Sequence, residues 1–170
     1  MDVNEAILKR RPVRSYKNKD IPREKIERIM DSVRMAPSAR NRQEWHFIIV
    51  KSQNVKDELC KSTKYKFIGE ASVIIVAVST DPDYVMSSDI NAGIVDLSIA
   101  LDHLSLKAVE EGLGTCWIGG FDQEVAKNAL GVPDDQKIIA LMSLGYPQDE
   151  LDIRNKERKS LEKVISYDSY

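Results

Sequence analysis

The chain has few of the residues on which metal-dependent and hydrolytic chemistry relies. It contains two histidines and two cysteines in 170 residues, none at the spacing of a metal site. Cys60 and Cys116 lie far apart without a C-x-x-C partner, so we expect free thiols. The G-x-S-x-G pattern of a serine hydrolase is also missing. The sequence therefore gives no support to a metalloenzyme, a disulfide scaffold or a Ser–His–Asp hydrolase.

Long apolar runs and a strong excess of charge are missing as well. No uninterrupted apolar run approaches the roughly 20 residues that span a bilayer, and the opening MDVNEAILKRR is too charged for a signal peptide. The net charge of −2 argues against general affinity for nucleic acid or anionic membranes. We therefore expect a cytoplasmic protein without nucleic-acid or membrane partners. The length, without any linker-like stretch, predicts a single domain over residues 1–170.

Apolar periodicity predicts helices that alternate irregularly with roughly four strands. Pro22 marks the start of a helix, and Pro37 ends it because proline disfavours helical backbone in the preceding residue. The run SVIIVAVST is rich in β-branched residues and predicts a buried strand. This alternation favours an α+β or α/β fold with a three-layer core. The predicted helices are 4–9, one from 22 to about 36, 54–63, 89–111, 122–131 and 160–165, and the predicted strands include 45–51, 72–80 and 137–147.

The longest predicted helix is apolar on more than one face. One seam of alternating four- and three-residue spacings consists of Ile90, Ile94, Leu97, Leu101, Leu104 and Ala108. A helix of this kind is enclosed by its own core or covered by a second subunit. In a chain this short we favour a homodimer, with an intramolecular core helix as the alternative. In the first helix, we expect Ala6, Ile7 and Val3 to face inward.

Basic residues concentrate near both ends of the chain. KRRPVRSY contributes Arg10, Arg11 and Arg14, and Lys156 and Arg158 form a second pair. A guanidinium group matches two oxygens of a phosphate and keeps its charge. A basic run near a terminus is more often a solvated surface, and that alternative stays open unless the two ends meet in space. If they meet, they form a site for a dianion.

The segment GLGTCWIGG resembles a dinucleotide-binding fingerprint only in part. Trp117 stands where the third glycine is needed, and the segment follows a helix instead of a strand. What remains is the pair Gly119 and Gly120, which lets the backbone approach a flat ligand closely. A tight turn between a strand and a helix is the alternative. Other titratable residues are expected to be structural, with His46 and His103 in the core or on the surface and most of Asp89, Asp96 and Asp102 solvated or capping.

Four blocks, in this order, resemble the nitroreductase family of FMN-dependent NAD(P)H oxidoreductases. They are the arginine-rich start, the polar loop APSARNRQEW, the segment GLGTCWIGG after the long helix, and the terminal K-x-R, and they extend from ILKRRPVRSY to RKSLEKVI. The resemblance implies an α+β fold with a mixed, mainly antiparallel sheet flanked by helices. It also implies an intertwined homodimer with FMN at the subunit interface.

The resemblance assigns cofactor contacts to four segments of the sequence. The arginines near the start and the K-x-R pair would hold the phosphate and ribityl groups, and Arg14 would lie near N1 and O2 of the ring. Pro12 stands where Ser or Thr is usual, so one hydroxyl contact is lost, and Lys64 is a candidate ring contact before the second strand. The implied FMN-binding residues are Arg10, Arg11, Pro12, Arg14, Pro37, Ser38, Ala39, Asn41, Gln43, Ile118, Gly119, Gly120, Lys156 and Arg158.

The same resemblance implies chemistry that needs no nucleophilic side chain and no metal. NADH or NADPH would pass a hydride to flavin N5, and a nitroaromatic, quinone or similar acceptor would then take electrons from the same cleft by a ping-pong mechanism. Glu44 replaces the proline of the usual N-x-Q-P-W loop and adds a negative charge there, whereas Trp45 is expected to pack in the core. The alternatives are a protein that stores or senses FMN, and a specialised enzyme of the same fold, such as a dehalogenase or a flavin-cleaving enzyme.

Overall fold

The computed structural model describes residues 1–154 and 156–170. One four-stranded sheet in the order β1-β2-β4-β3 has antiparallel pairing between all neighbours. Helices lie on both of its faces, which confirms the predicted α+β class. In the described residues the helices are α1 (Val3–Lys9), α2 (Arg23–Arg34), α3 (Gln53–Lys61), α4 (Ala92–Glu110) and α5 (Gln123–Leu130), and the strands are β1 (Trp45–Val50), β2 (Val73–Ser79), β3 (Gly114–Ile118) and β4 (Lys137–Gly145).

The β-branched run seen in the sequence forms β2, the most deeply buried strand. Every residue of β2 is buried because the strand lies between β1 and β4 and is covered on both faces. Its side chains alternate between two cores. Val73, Ile75 and Ala77 pack with residues of α2 and α4, and Ile74, Val76 and Val78 pack with residues of α3 and α5. The core therefore has three layers, as predicted.

Helix ends follow the turn residues, with two corrections. The predicted start of the long helix near Asp89 is wrong, because Asp89 has φ +60° and α4 begins at Ala92. Asn91 is the cap, and its side-chain oxygen accepts a hydrogen bond from Ile94 N at 3.1 Å. The helix predicted at 160–165 is a single 3-10 turn over Leu161–Lys163. Among the described residues, no helix combines the length and apolar character needed to cross a bilayer.

The two ends of the chain lie side by side at the β3 edge of the sheet. Val13 donates its N–H to the carbonyl of Thr115 at 2.8 Å, and Pro12 forms a parallel bridge with the same residue. The guanidinium of Arg11 donates to Asp152 Oδ1 at 2.7 Å and to the carbonyl of Glu150 at 2.6 Å. The condition that the sequence left open, that both basic ends meet, is therefore fulfilled.

Part of the apolar surface predicted to face inward is exposed in this chain. Ala6 is buried as expected, but Ile7 and Val3 are 49% and 71% exposed. On α4, Leu97, Leu101, Leu104 and Ala108 are buried, whereas Ile94 is 51% exposed. The intramolecular core therefore covers this seam from Leu97 onward and leaves its N-terminal end, Ile90 and Ile94, exposed.

Candidate functional site

A cleft of about 680 Å³ lies between α1, α4 and the C-terminal segment. Four cationic side chains line it: Arg10, which follows α1, and Arg154, Lys156 and Arg158 from the C-terminal segment. Lys156 Nζ donates to the carbonyl of Ile7 at 2.7 Å, which ties the C-terminal segment to α1. We call this the cationic cleft. It brings together three residues that the sequence analysis assigned to one phosphate.

The electrostatics of the cationic cleft favour an anion. The pKa of Lys156 is lowered by partial burial and then by the neighbouring charges of Arg10 and Arg158. Positive groups that destabilise one another in this way are stabilised when an anion lies between them. Among the described lining residues, Asp102 of α4 is the one carboxylate. Arg10, Arg158 and Lys156 therefore offer two guanidinium forks and an ammonium group, a donor set that fits a phosphate dianion.

Arg11 and Pro12 lie beside the cationic cleft and are not among its described lining residues. The Arg11 side chain is engaged by Asp152 and the Glu150 carbonyl and is 19% exposed. Pro12 holds the backbone beside Thr115. In this chain both residues order the segment that carries Arg10, and their direct contact with a ligand stays a prediction.

Arg14 lies against β3, beyond the cationic cleft. Its positive charge lies near the Cys116 thiol and opposes the burial that raises the pKa of that thiol. Gly114 permits this approach of the N-terminal segment, because a methyl group added at Gly114 would lie 2.4 Å from Val13 Cγ2. The strand that supports Arg14 leads directly to Ile118, where it ends.

The glycine pair after β3 is open to a ligand. A methyl group added at Gly119 would lie 3.7 Å from Trp117 Nε1, and one added at Gly120 would lie 3.5 Å from Tyr65 Cε2, both ordinary contact distances. Neither glycine has a positive φ. Neither internal packing nor a strained turn therefore requires glycine here, and close approach of a ligand stays a prediction. Thr63 Oγ1 donates to the Gly120 carbonyl at 2.7 Å, so the segment that contains Lys64 lies beside this pair.

A buried carboxylate anchors the polar loop between α2 and β1. Asp96 is 7% exposed, and both of its oxygens accept from the N–H of Ala39, at 3.0 and 3.1 Å. Ser38 Oγ accepts from the N–H of Gln43 at 3.0 Å and closes the loop on itself. Asp96 is thus the exception among the three aspartates, since Asp89 and Asp102 are exposed as expected. The signal that reveals its role is its place between Val95 and Leu97, within an otherwise apolar stretch of α4.

Three residues of this loop have left-handed backbone conformations. Arg40, Asn41 and Gln43 have φ values of 53°, 55° and 55°. Such conformations in residues other than glycine cost roughly 1–3 kcal/mol each and persist when surrounding contacts hold them. Residues of this kind cluster at binding sites. The contacts of the loop therefore hold it in a strained backbone conformation.

In one chain the polar loop does not line the cationic cleft. Asp96, which holds the loop, and Asp102, which lines the cleft, are six residues apart on α4, or about 9 Å along its axis and on different faces. Pro37 and Asn41 are exposed, and Ser38 and Ala39 are half-buried. The predicted contacts thus form two groups, one at each end of this helix segment.

We expect Asp96→Ala to destabilise the polar loop. The substitution leaves the Ala39 N–H without its acceptor, which lowers the free energy of unfolding by about 1–3 kcal/mol. Equilibrium urea unfolding measures this loss, and trypsin should cleave faster after Arg40 in the variant. Glu110→Ala, at the exposed end of the same helix, is the control and should change neither quantity appreciably. Unchanged stability and cleavage in Asp96→Ala would show that the carboxylate does not hold the loop.

Known proteins resemble this chain in both sequence and fold. The model of the nitroreductase family matches residues 7–67 and 60–146. A protein of Archaeoglobus fulgidus, provisionally named NADH dehydrogenase/NAD(P)H nitroreductase, is 33% identical over 151 residues, which cover 86% of each chain. The structure of a nitroreductase family protein from Clostridium novyi NT is 32% identical, with a TM-score of 0.84 over 88% of this chain and 87% of that one. An FMN-dependent nitroreductase from Clostridium difficile R20291 is 25% identical, with a TM-score of 0.84 over 98% of this chain and 99% of that one. Because the match extends over most of the sequence and the fold, the chain belongs to the nitroreductase family.

Proposed function

We propose that this chain is an FMN-containing oxidoreductase that takes reducing equivalents from NADH or NADPH and passes them to small organic acceptors. The observation that carries the proposal is the cationic cleft, in which Arg10, Lys156 and Arg158 come together from opposite ends of the sequence. Such a cluster fits the phosphate of a mononucleotide. The names of the relatives support the same reading, since the Clostridium difficile protein is FMN-dependent and the Archaeoglobus protein bears an NAD(P)H nitroreductase name.

The proposed flavin site extends from the cationic cleft along β3. Arg10, Lys156 and Arg158 would hold the phosphate, and Arg14 would lie near N1 and O2 of the ring. Ile118, Gly119 and Gly120 would present backbone groups to the ring edge. Arg11 and Pro12 would act through the segment that they order. This assignment keeps the residue set implied by the sequence and adds Arg154, which lines the cleft.

The protein contributes orientation and charge to the proposed reaction. FMN, when bound, would supply the redox chemistry, as hydride acceptor from the nucleotide and electron donor to the second substrate. The fixed charge of Arg14 stabilises the negative charge that reduction places near N1 and O2. The glycine pair keeps the approach to the ring free of side chains. A single shared cleft for donor and acceptor leads to ping-pong kinetics, with nitroaromatics and quinones as the proposed acceptor class.

We propose a homodimer in which each polar loop serves the flavin site of the other protomer. The exposed apolar side chains of Val3, Ile7, Ile90 and Ile94 give a partner apolar surface to cover. The separation of the polar loop from the cationic cleft within one chain also supports this arrangement, because Pro37, Ser38, Ala39, Asn41 and Gln43 then reach a flavin held mainly by the partner. Each protomer would be one domain over residues 1–170.

Anaerobic half-reactions separate the enzyme from a protein that only stores or senses FMN. With one equivalent of NADH or NADPH, we expect the absorbance of oxidised flavin to disappear within seconds to minutes. Addition of menadione or a nitrofuran without oxygen should then restore it. Failure of both nucleotides to reduce the flavin would overturn the oxidoreductase proposal and favour storage.

The short connection DPDYVMSSD leaves little material for a specialised lid and so favours a permissive oxidoreductase over a dehalogenase or flavin-cleaving enzyme.

A further inference from the structure

We propose that Arg42 is a positioning residue that joins the polar loop to the connection between β2 and α4 and thereby holds that loop in its flavin-binding conformation. The inference rests on the proposed function, because it concerns the loop assigned to the flavin ring. It adds a residue to which the sequence analysis gave no role. In this proposal Arg42 acts through the loop and does not contact the flavin.

The guanidinium of Arg42 contacts three side chains at once. Its Nη2 donates to Asp81 Oδ2 at 2.5 Å and lies 3.5 Å from Glu44 Oε1. Its Cζ lies 4.4 Å from the centre of the Tyr84 ring. A planar guanidinium can pair with a carboxylate and stack on an aromatic face at the same time, which an ammonium group does less well. Arg42 therefore fastens the loop to two residues of the connection that follows β2.

Glu44 supports the same junction from the other end of the loop. Thr80 Oγ1 donates to Glu44 Oε2 at 2.9 Å, and Thr80 N donates to the Glu44 carbonyl at 3.3 Å. Glu44 occupies the position where the family pattern has proline. A proline would restrict the loop by its fixed φ. In this chain, the hydrogen bond to Thr80 and the charge of Arg42 provide that restriction.

The connection to which Arg42 is fastened is itself fixed to the start of α4. Ala92 N donates to the Tyr84 carbonyl at 3.0 Å, and Asn91 Nδ2 donates to the Pro82 carbonyl at 2.6 Å. The same helix holds Ala39 through Asp96. The loop is thus attached to α4 at two points, directly through Ala39 and indirectly through Arg42.

The strain in the loop explains why a second attachment is needed. Arg40, Asn41 and Gln43 all have positive φ, and Arg42 lies between two of them. Without external contacts, non-glycine residues leave this conformation readily. Loss of the Arg42 contacts should therefore let the loop populate other conformations, and a flavin that needs the loop in place would bind more weakly.

The test compares FMN with riboflavin, which lacks the phosphate. Arg42→Met should weaken the binding of both flavins by the same factor, about three- to tenfold, because a partly exposed ion pair is modest in strength. Arg158→Gln should weaken FMN binding alone. Arg42→Lys should give an intermediate loss, since the charge remains while the fork is lost. Flavin fluorescence titration of apoprotein measures all these constants, and thermal unfolding checks that each variant is folded.

A control arginine variant and a variant of Asp81, the partner of Arg42, test whether the loss comes from the Arg42 contacts. Arg34→Met removes another exposed arginine, paired with Asp31 at 2.6 Å, and should bind both flavins as the wild type does. Asp81→Asn should reproduce part of the loss of Arg42→Met, and the double variant should be no weaker than Arg42→Met alone. If Arg42→Met binds both flavins normally, or loses affinity for FMN alone, the inference is overturned while the proposed function stands. If the wild type binds neither flavin, the proposed function itself fails.

Discussion

Replacement of Arg10 and Arg158 together by glutamine is expected to weaken FMN binding by about 100-fold or more, because hydrogen bonds to charged groups contribute about 1.5–3 kcal/mol each. Riboflavin binding should change little, since the two guanidinium groups line the cleft assigned to the phosphate. Glutamine keeps much of the length and polarity of arginine but lacks its charge. The measurement is flavin fluorescence titration of the two apoproteins at fixed ionic strength, because phosphate contacts are screened by salt.

A matched control removes two arginines elsewhere. Arg23 and Arg34 form exposed pairs with Glu27 and Asp31 on α2. The variant Arg23→Gln/Arg34→Gln has the same change in net charge and should retain wild-type affinity for FMN. An equal loss in this control would assign the effect to overall charge. Unchanged FMN affinity in Arg10→Gln/Arg158→Gln would show that the phosphate does not bind in the cationic cleft.

The second large effect concerns the packing that places the N-terminal segment. Gly114→Ala is expected to lower the free energy of unfolding by about 3 kcal/mol, because overpacking of a rigid core commonly costs 1–3 kcal/mol and sometimes more. The added methyl group would lie 2.4 Å from Val13 Cγ2 and 2.8 Å from Val13 Cβ, and a β-branched side chain has few rotamers with which to move away. The segment between Arg11 and Arg14 must shift, so FMN affinity should fall as well.

Two companion variants separate packing from backbone strain. Val13→Ala combined with Gly114→Ala makes room for the new methyl group and should recover part of the stability lost in Gly114→Ala alone. Gly112→Ala tests strain, since Gly112 has φ +73° and open space around it, and should cost about 1 kcal/mol. Equilibrium urea unfolding of these three variants, of Val13→Ala alone and of the wild type gives the values to compare. Additive losses in the double variant would show that Val13 and Gly114 do not compete for the same space.

The elements that could be predicted from the sequence are those whose signal is local. The strand β2 and the end of α2 before Pro37 are signalled by neighbouring residues, and their predicted ends lie within one or two positions of the observed ones. Gly131 ends α5 in the left-handed conformation expected of a C-terminal glycine. The start of α4 was misplaced because the fold of the preceding connection, and not helical periodicity, selects Asn91 over Asp89 as its cap.

The cationic cleft was only partly predictable. Arg10, Lys156 and Arg158 were found by residue type and family pattern, but their meeting depends on contacts across the whole sequence, such as Arg11 with Asp152. Arg154 was missed although Arg154, Lys156 and Arg158 occupy every second position. That alternation places side chains on one side of an extended chain and is a usable signal.

The residues that hold the polar loop were harder to predict. Asp96 and Arg42 act on backbone and side chains that are distant in sequence, and the type of neither residue reveals its partner. The outward position of Ile7 was also unpredictable, because amphipathic spacing gives the direction of an apolar face but not whether the same chain covers it. Such features require the coordinates.

The most direct measurement is a titration of the purified apoprotein with FMN, followed by visible absorption and compared with riboflavin. Our account predicts saturation at one FMN per chain, a flavin spectrum altered by the protein, and an affinity for FMN at least about 100-fold above that for riboflavin, since charged hydrogen bonds to the phosphate supply the difference. A protein that binds no flavin, or that binds riboflavin as tightly as FMN, would contradict it.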